Sequence, residues 1–392
     1  MKGVTRFGIV GTGKRGLTYA RALEAAAGAQ LVSVSDLDSE RASIVAGLVS
    51  ADVEVVGSLE PLLDRCEALI IATPDDSHTE IALAALAAGR AVLCDKPAGI
   101  TVDQVNALAS ALTARPSVPF DLAMVLRYHP FYQALAEVLH TRRTVTQVHV
   151  MDMMRGEFYF RRWHRLSKYT GGIVLHEGIH ALDIIGWLLG THPLRVTGSS
   201  FSSVLKPKPN AAQHCGDCAI AGCAHRFDVQ TDPLAAIYRT PRLQEGEARD
   251  LCVFNSTRDV EETHSLLFDY TGDVAVSYSL TLVAPIRTRR YTFVCDDVVV
   301  DADEATSTIT LSGPDGTHTR RAEVPAGEFG GADRRQLEHF ASMVRAGRRD
   351  DSVLAQNLAA NVTGIAAERS MRDGRPVTVD SDMATGYRLS VE

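Results

Sequence analysis

Gly11-Thr12-Gly13-Lys14-Arg15-Gly16 constrains this chain more than any other stretch, because it stands between a β-branched run at 4–10 and a helical pattern at 15–26. In a G-x-G-x-x-G turn the first glycine permits a tight reversal and the second lets the backbone approach a pyrophosphate. The third brings strand and helix into close packing. The helix N-terminus then turns its unpaired N–H groups toward the anion. Thr12, Lys14 and Arg15 fill the rest of the loop, and a second strand at 30–34 runs into Ser35 and Asp36. A carboxylate about twenty residues past such a loop accepts from a ribose diol and repels a 2′-phosphate, so the pattern predicts NAD in preference to NADP. Arg15 and Arg41 are the cations at hand for a phosphate.

The pattern continues through residue 127. A strand at 68–72 ends in Thr73-Pro74, a helix at 78–88 stops at Gly89, and a strand at 91–94 runs into Asp95-Lys96-Pro97. Thr101 and Gln104 form a capping box for a helix at 102–114, and a strand at 122–126 closes the set. Strands alternating with helices predict a parallel sheet, whose ligands sit at the carboxyl ends of the strands. Thr73, Pro74, Asp95 and Lys96 stand at those ends. After a helix at 131–139 the texture changes to long alternating strands at 145–151, 265–270, 274–282 and 291–300. The expected fold class is α/β: a Rossmann dinucleotide-binding domain at 1–127, then an α+β substrate-binding and oligomerisation domain at 128–392 on a largely antiparallel open sheet. Of two late helices, 334–346 and 353–371, one is expected to return and pack on the first domain.

Composition narrows the partner. Forty Lys plus Arg against forty-eight Asp plus Glu give a net charge of -8, with no basic block. That argues against nucleic acid and anionic membrane and for a small-molecule partner. No apolar run is expected to reach the eighteen or so residues that span a bilayer, and the start of the chain reads as no secretory signal, so the expectation is a cytoplasmic protein.

Five blocks taken together resemble the Gfo/Idh/MocA family of sugar and cyclitol oxidoreductases: GIVGTGKRG (8–16), ATPDDSH (72–78), CDKP (94–97), RYHP (127–130) and GGIVLHEGIHALDIIGWLLG (171–190). The phrase YFRRWHR (159–165) is similar to one subgroup. The resemblance implies an NAD(P)-dependent dehydrogenase or reductase acting on CH–OH, a sugar or cyclitol substrate, and a homo-oligomer, dimer or tetramer. His78 falls within a cofactor-side block. Lys96 and His180 occupy the positions that flank the reacting carbinol carbon in such enzymes. Two departures stand out: Asp95 replaces the family's Glu, and His176 replaces its Asp, so either His176 or His180 is open as the proton acceptor. The leading expectation gives that role to His180, with Lys96 stabilising the alkoxide. An NAD-assisted glycoside-cleaving enzyme and a catalytically inactive dinucleotide-binding sensor are the alternatives.

His176-Glu177-x-x-His180 also fits H-E-x-x-H, but 184–242 holds no glutamate for a third zinc ligand. Asp183 stands one turn on, where it can orient an imidazole. Arg127, Tyr128, Arg162, Trp163, His164 and Arg165 read as sugar contacts, Trp163 and His164 foremost, since aromatic faces pack on C–H groups and guanidinium forks bind hydroxyls. Three thiols and two imidazoles crowd 214–225. Cys215, Cys218 and Cys223 with His225 or His214 match the donor set of a closed structural zinc site, while Cys66, Cys94, Cys252 and Cys295 read as buried core residues.

Overall fold

The structure, a computed structural model, describes residues 3–49, 52–141, 144–232, 234–238, 250–380 and 386–391. The ends of the expected domains at residues 1 and 392 lie outside the described residues.

The first sheet is built as the alternating pattern requires: β1 (Thr5–Val10), α1 (Lys14–Ala25), β2 (Ala29–Ser35), α2 (Ser39–Val49), β3 (Glu54–Val55), α3 (Leu59–Arg65), β4 (Ala68–Ile71), α4 (His78–Ala87), β5 (Ala91–Cys94), α5 (Val102–Thr113) and β6 (Phe120–Leu122). Its strands run parallel in the order β3-β2-β1-β4-β5-β6. The order reverses beside β1, the switch point where such sheets hold ligands. The capping box of α5 forms as expected. The strand expected at 122–126 does not. β6 ends at Leu122 because its neighbour β5 leaves the sheet, Ala123 N–H to the Cys94 carbonyl at 2.8 Å being the last ladder bond, and 125–128 coil into a 3₁₀ turn. An apolar run buried on every side is as well satisfied by a turn as by a strand.

Helix α6 (Pro130–Leu139) leads to the second sheet. Strand β7 (Val145–Arg155) is followed by α7 (Ser167–Thr170), α8 (Ile179–Leu189), β8 (Pro193–Phe201), β9 (Thr263–Tyr270), β10 (Val274–Thr281), β11 (Val283–Cys295), β12 (Val299–Asp303), β13 (Thr308–Gly313) and β14 (Gly316–Arg321). Helices α9 (Ala332–Ala346) and α10 (Asp351–Asp373) precede the closing strands β15 (Val377–Asp380) and β16 (Arg388–Val391). The ten strands lie in the order β14-β13-β12-β11-β7-β10-β9-β8-β15-β16, antiparallel except for the β10–β7 pair. The single strand expected at 291–300 is a hairpin instead. Asp296 and Asp297 turn the chain between β11 and β12, and Cys295 N–H reaches the Val298 carbonyl at 2.9 Å; adjacent aspartates are turn formers that the β-branched flanks conceal.

Both late helices touch the first sheet's side of the molecule. Phe340 of α9 packs on Phe7 of β1 with ring centroids 6.2 Å apart. Asn361 of α10 accepts from Ala98 N–H at 2.6 Å and donates to the Gly99 carbonyl at 2.9 Å, which pins the loop after β5. One helical stretch, Ser167–Leu189, is long and apolar enough by length and composition to cross a membrane, contrary to expectation, but 83% of its apolar window is buried inside the protein. Its apolarity is explained by core packing between the sheet and α10.

Candidate functional site

The glycine loop closes on itself. Gly11 has φ +89°, and a Cβ there would lie 2.6 Å from the Ala72 carbonyl, while one on Gly16 would collide with the Gly11 carbonyl oxygen. Gly13 is different: its Cβ would meet just the Tyr238 hydroxyl, at 3.3 Å. Backbone thus leaves the middle glycine open to a ligand, and the donors there are N–H groups of the first turn of α1, a donor set suited to a pyrophosphate. Asp36, expected on the ribose side, organises the loop. Its Oδ2 accepts from Thr12 N–H at 2.7 Å and Thr12 Oγ1 at 2.8 Å, and Arg41 lies 3.6 Å from Oδ1.

The basic residues around the loop are engaged by protein groups. Arg15 pairs with Asp95 at 3.2 Å and Asp333 at 2.6 Å and stacks over Tyr19. Arg41 pairs with Asp38 and donates to the Ile237 carbonyl at 3.1 Å. Tyr238 was invisible to sequence reasoning. It arrives from the long excursion between β8 and β9, and its hydroxyl accepts from Lys14 N–H at 3.0 Å and from Arg162 at 3.1 Å.

Thr73 and Pro74 follow β4, and His78 ties their loop to the next one. Its Nε2 lies 2.9 Å from the Thr73 carbonyl and its Nδ1 2.7 Å from the Pro97 carbonyl. Fully buried, His78 reaches the cofactor side through those carbonyls rather than through its ring. Beyond β5, Asp95 accepts from Lys96 N–H at 3.0 Å. The Lys96 ammonium crosses to the second domain and donates to the His176 carbonyl oxygen.

His176 lies in a single π-helical turn, Val174–Gly178, that runs into α8. Such turns insert one residue into a helix and recur at functional sites. Two features fix it. Gly172, at φ +119°, leaves no room for a Cβ against the Glu368 carboxylate, and Glu368 of α10 accepts from Val174 N–H at 2.6 Å. Glu177 turns away from the cleft, accepting from Tyr159 at 2.7 Å and from Arg289 at 2.7 Å. Arg289 in turn donates to Asp152 at 2.8 Å. A charge pair in the middle of two strands gives no periodic signal, so this support escaped the sequence reading.

Loss of solvent pushes Glu368 up from 4.5 to about 7. A carboxyl whose folded value is raised contributes stability while protonated, and that contribution is lost as pH rises from about 4.5 through about 7. Glu368→Gln keeps an acceptor for Val174 and removes the titration. Its melting temperature relative to the parent is therefore expected to rise between pH 5 and pH 8; a pH-independent difference would count against a buried, titrating Glu368.

Around His176 stand Tyr159 and Trp163 with ring centroids at 5.4 Å and His164 at 5.0 Å, Trp163 and His164 being stacked at 4.0 Å. Its Nδ1 lies 2.6 Å from Asp75 Oδ2. His180, one turn along the helix, is buried in the same region. Burial first, then the Lys96 ammonium, hold both imidazoles well below their ordinary value, so both are neutral at physiological pH.

Lys96, His176, His180, Trp163 and His164 therefore converge, and other expected contacts do not. Arg127 is buried in a fork on Asp183 at 2.6 and 2.8 Å, which removes Arg127 from the substrate and Asp183 from any imidazole. Tyr128 bonds His339 of α9 at 2.9 Å. Buried Arg165 donates to the Thr257 and Arg162 carbonyls. The zinc expectation is not supported. Among the described residues no group of three or more His, Cys, Asp or Glu side chains is placed to hold a metal. His214 is paired with Asp250 at 2.9 Å, His225 faces Glu157 at 3.7 Å, and Cys215 accepts from Arg161. Close sequence spacing of thiols does not by itself aim them at one point.

Residues 5–118 match the family model for an oxidoreductase family with an NAD-binding Rossmann fold, and residues 144–240 match that family's C-terminal alpha/beta domain. An inositol 2-dehydrogenase of Rhizobium meliloti (strain 1021) is 28% identical over 198 residues, covering 50% of this chain and 58% of that protein. The chain spans little more than half the length of curated relatives such as this one. Among solved structures, a myo-inositol 2-dehydrogenase from Lactobacillus plantarum superposes with a TM-score of 0.71 at 18% identity, over 96% of this chain and 100% of that one. An oxidoreductase from Agrobacterium radiobacter, in complex with NAD+, L-tartaric acid and magnesium, gives 0.71 at 15% identity over 95% and 98%. At such identities the structures speak for the fold alone. With both of its domains matched and both sheets in place, the chain belongs to the Gfo/Idh/MocA oxidoreductase family.

Proposed function

We propose that the protein is an NAD-dependent oxidoreductase that interconverts a secondary alcohol and its ketone on a sugar, sugar derivative or cyclitol. The observation that carries this reading is the junction of Lys96, from the carboxyl end of a strand in the cofactor domain, with His176 on the helix of the other domain. A cation and two buried imidazoles meet past the carboxyl end of β5. When bound at the glycine loop, with Gly13 and Asp36 holding it, the nicotinamide cofactor supplies a hydride acceptor or donor. The protein's part is electrostatic and acid-base. The ammonium of Lys96 stabilises the alkoxide oxygen as it develops, and a neutral imidazole takes the hydroxyl proton. Trp163 offers an apolar face to the C–H side of the ring.

Asp36 gives the cofactor preference. A 2′-phosphate beside it forfeits a diol hydrogen bond and meets a like charge. NADH is expected to bind at least about tenfold more tightly than NADPH, read by quenching of intrinsic fluorescence; tighter NADPH binding would overturn the assignment. The function itself is tested by incubating the protein and NAD with inositols, hexoses, uronic acids and amino sugars and following NADH absorbance. Turnover of at least one polyol supports the reading, and NAD binding without turnover of any opposes it.

A further inference from the structure

We infer that Asp75, from the loop after β4, is a positioning residue that fixes the His176 imidazole with its proton on Nδ1, and that His176 rather than His180 is thereby the proton acceptor. The catalytic part of this inference rests on the function proposed above; the pairing does not.

The two side chains come from different domains, and both are buried. Asp75 opens a short 3₁₀ turn, Asp75–Ser77, just ahead of α4. Its Oδ2 is 2.6 Å from His176 Nδ1, the short separation of a charge-assisted bond. Above about pH 7, where Asp75 is ionised, its carboxylate only accepts, which places the ring proton on Nδ1 and the lone pair on Nε2. Among the described residues Nε2 has no hydrogen-bond partner. It is the nitrogen left to receive a proton, in a ring edged by Trp163 and His164. Neither nitrogen of His180 has a hydrogen-bond partner among the described residues. Among the described residues no hydrogen bond selects its tautomer or orients its ring.

The charge balance supports the pairing. Lys96, Asp95 and His78 face His176 from the first domain, while Glu177, itself bound to Arg289, and His164 face it from the second. Burial pushes Asp75 up to about 7 and His176 down, and two groups this close titrate as a coupled pair. When Nε2 takes the substrate's hydroxyl proton, the ring becomes an imidazolium whose Nδ1–H still faces the Asp75 carboxylate. The C–H electron pair leaves as hydride to NAD+, and the alcohol becomes a ketone.

Asp75→Asn removes the charge at nearly constant shape. In protein labelled with ¹⁵N-histidine, the His176 resonances, identified by their loss in His176→Gln, are expected to report an Nδ1–H tautomer at high pH. In Asp75→Asn its titration should move to lower pH with the tautomers mixed. An Nε2–H tautomer in the parent, or an unchanged titration in the variant, would overturn the pairing whether or not a substrate is known. With a substrate, Asp75→Asn should lower kcat about ten- to a thousandfold with KM and NAD affinity within about twofold, and shift the acid limb of the kcat profile to lower pH. Asp75→Glu should restore part of both, and His176→Ala should cost more than His180→Ala. The reverse order for the two histidines, or an unmoved limb in Asp75→Asn, would return the acceptor role to His180. A parent enzyme inactive on every polyol counts against the proposed function, with the imidazole spectrum then deciding the pairing alone.

Discussion

Lys96→Met is expected to lower turnover by roughly two to four powers of ten, the usual worth of a group positioned on a developing oxyanion. Methionine nearly matches lysine in length and fills the same path across the domain junction, but it has no charge and no donor for the His176 carbonyl. The substitution acts on the transition state, in which the hydroxyl oxygen gains charge, more than on the ground state, in which it is neutral. NAD affinity and melting temperature should stay close to the parent's. Stopped-flow measurement of the hydride step together with a cofactor titration separates these effects. A variant that loses NAD binding as strongly as turnover would make Lys96 a structural strut between the domains instead.

Gly16→Ala is expected to impair the fold and the cofactor site together. Its Cβ would collide with the Gly11 carbonyl oxygen, a backbone atom held by the reversal between β1 and α1. That reversal has little freedom, since Gly11 N–H is tied to the Ser35 carbonyl at 2.8 Å and its own Cβ position is blocked by Ala72. Relief therefore requires α1 to slide off the sheet. Overpacking of this kind typically costs about 1–3 kcal/mol, and the displaced helix start should weaken NAD binding by at least about tenfold. Denaturant unfolding and a fluorescence titration read the two effects. Parental values in both would mean that the loop has slack the structure does not show.

Features dictated by local chemistry were legible in the sequence. The glycine loop, the acidic end of β2, the strand ends at Thr73 and Lys96 and the capping box of α5 each need only a few adjacent residues, and the periodicity around them separates a parallel from an antiparallel sheet. The ordinary i, i+4 reading of His176 and His180 missed the π turn, because that turn depends on Gly172 meeting Glu368 from a helix nearly two hundred residues away in sequence. Arg127 looked like a sugar contact for its type and its neighbours; its partner Asp183 lies on another helix, and no pattern links them. The cysteine cluster misled for the opposite reason. Its spacing is local, but Cys215 is engaged by Arg161 and His214 by Asp250. Asp75 was visible within the ATPDDSH block as a residue, though not as the partner of an imidazole on the other domain.

The most direct test of the account is to follow the hydride. A polyol that turns over, deuterated at its carbinol carbon, should pass the label to the nicotinamide ring in a one-to-one ratio with ketone formed, and Lys96→Met should suppress label transfer in proportion to turnover. Ketone-free product with no net NADH would point to oxidation followed by elimination. NAD bound with no label transferred from any polyol would contradict the oxidoreductase chemistry proposed for this site.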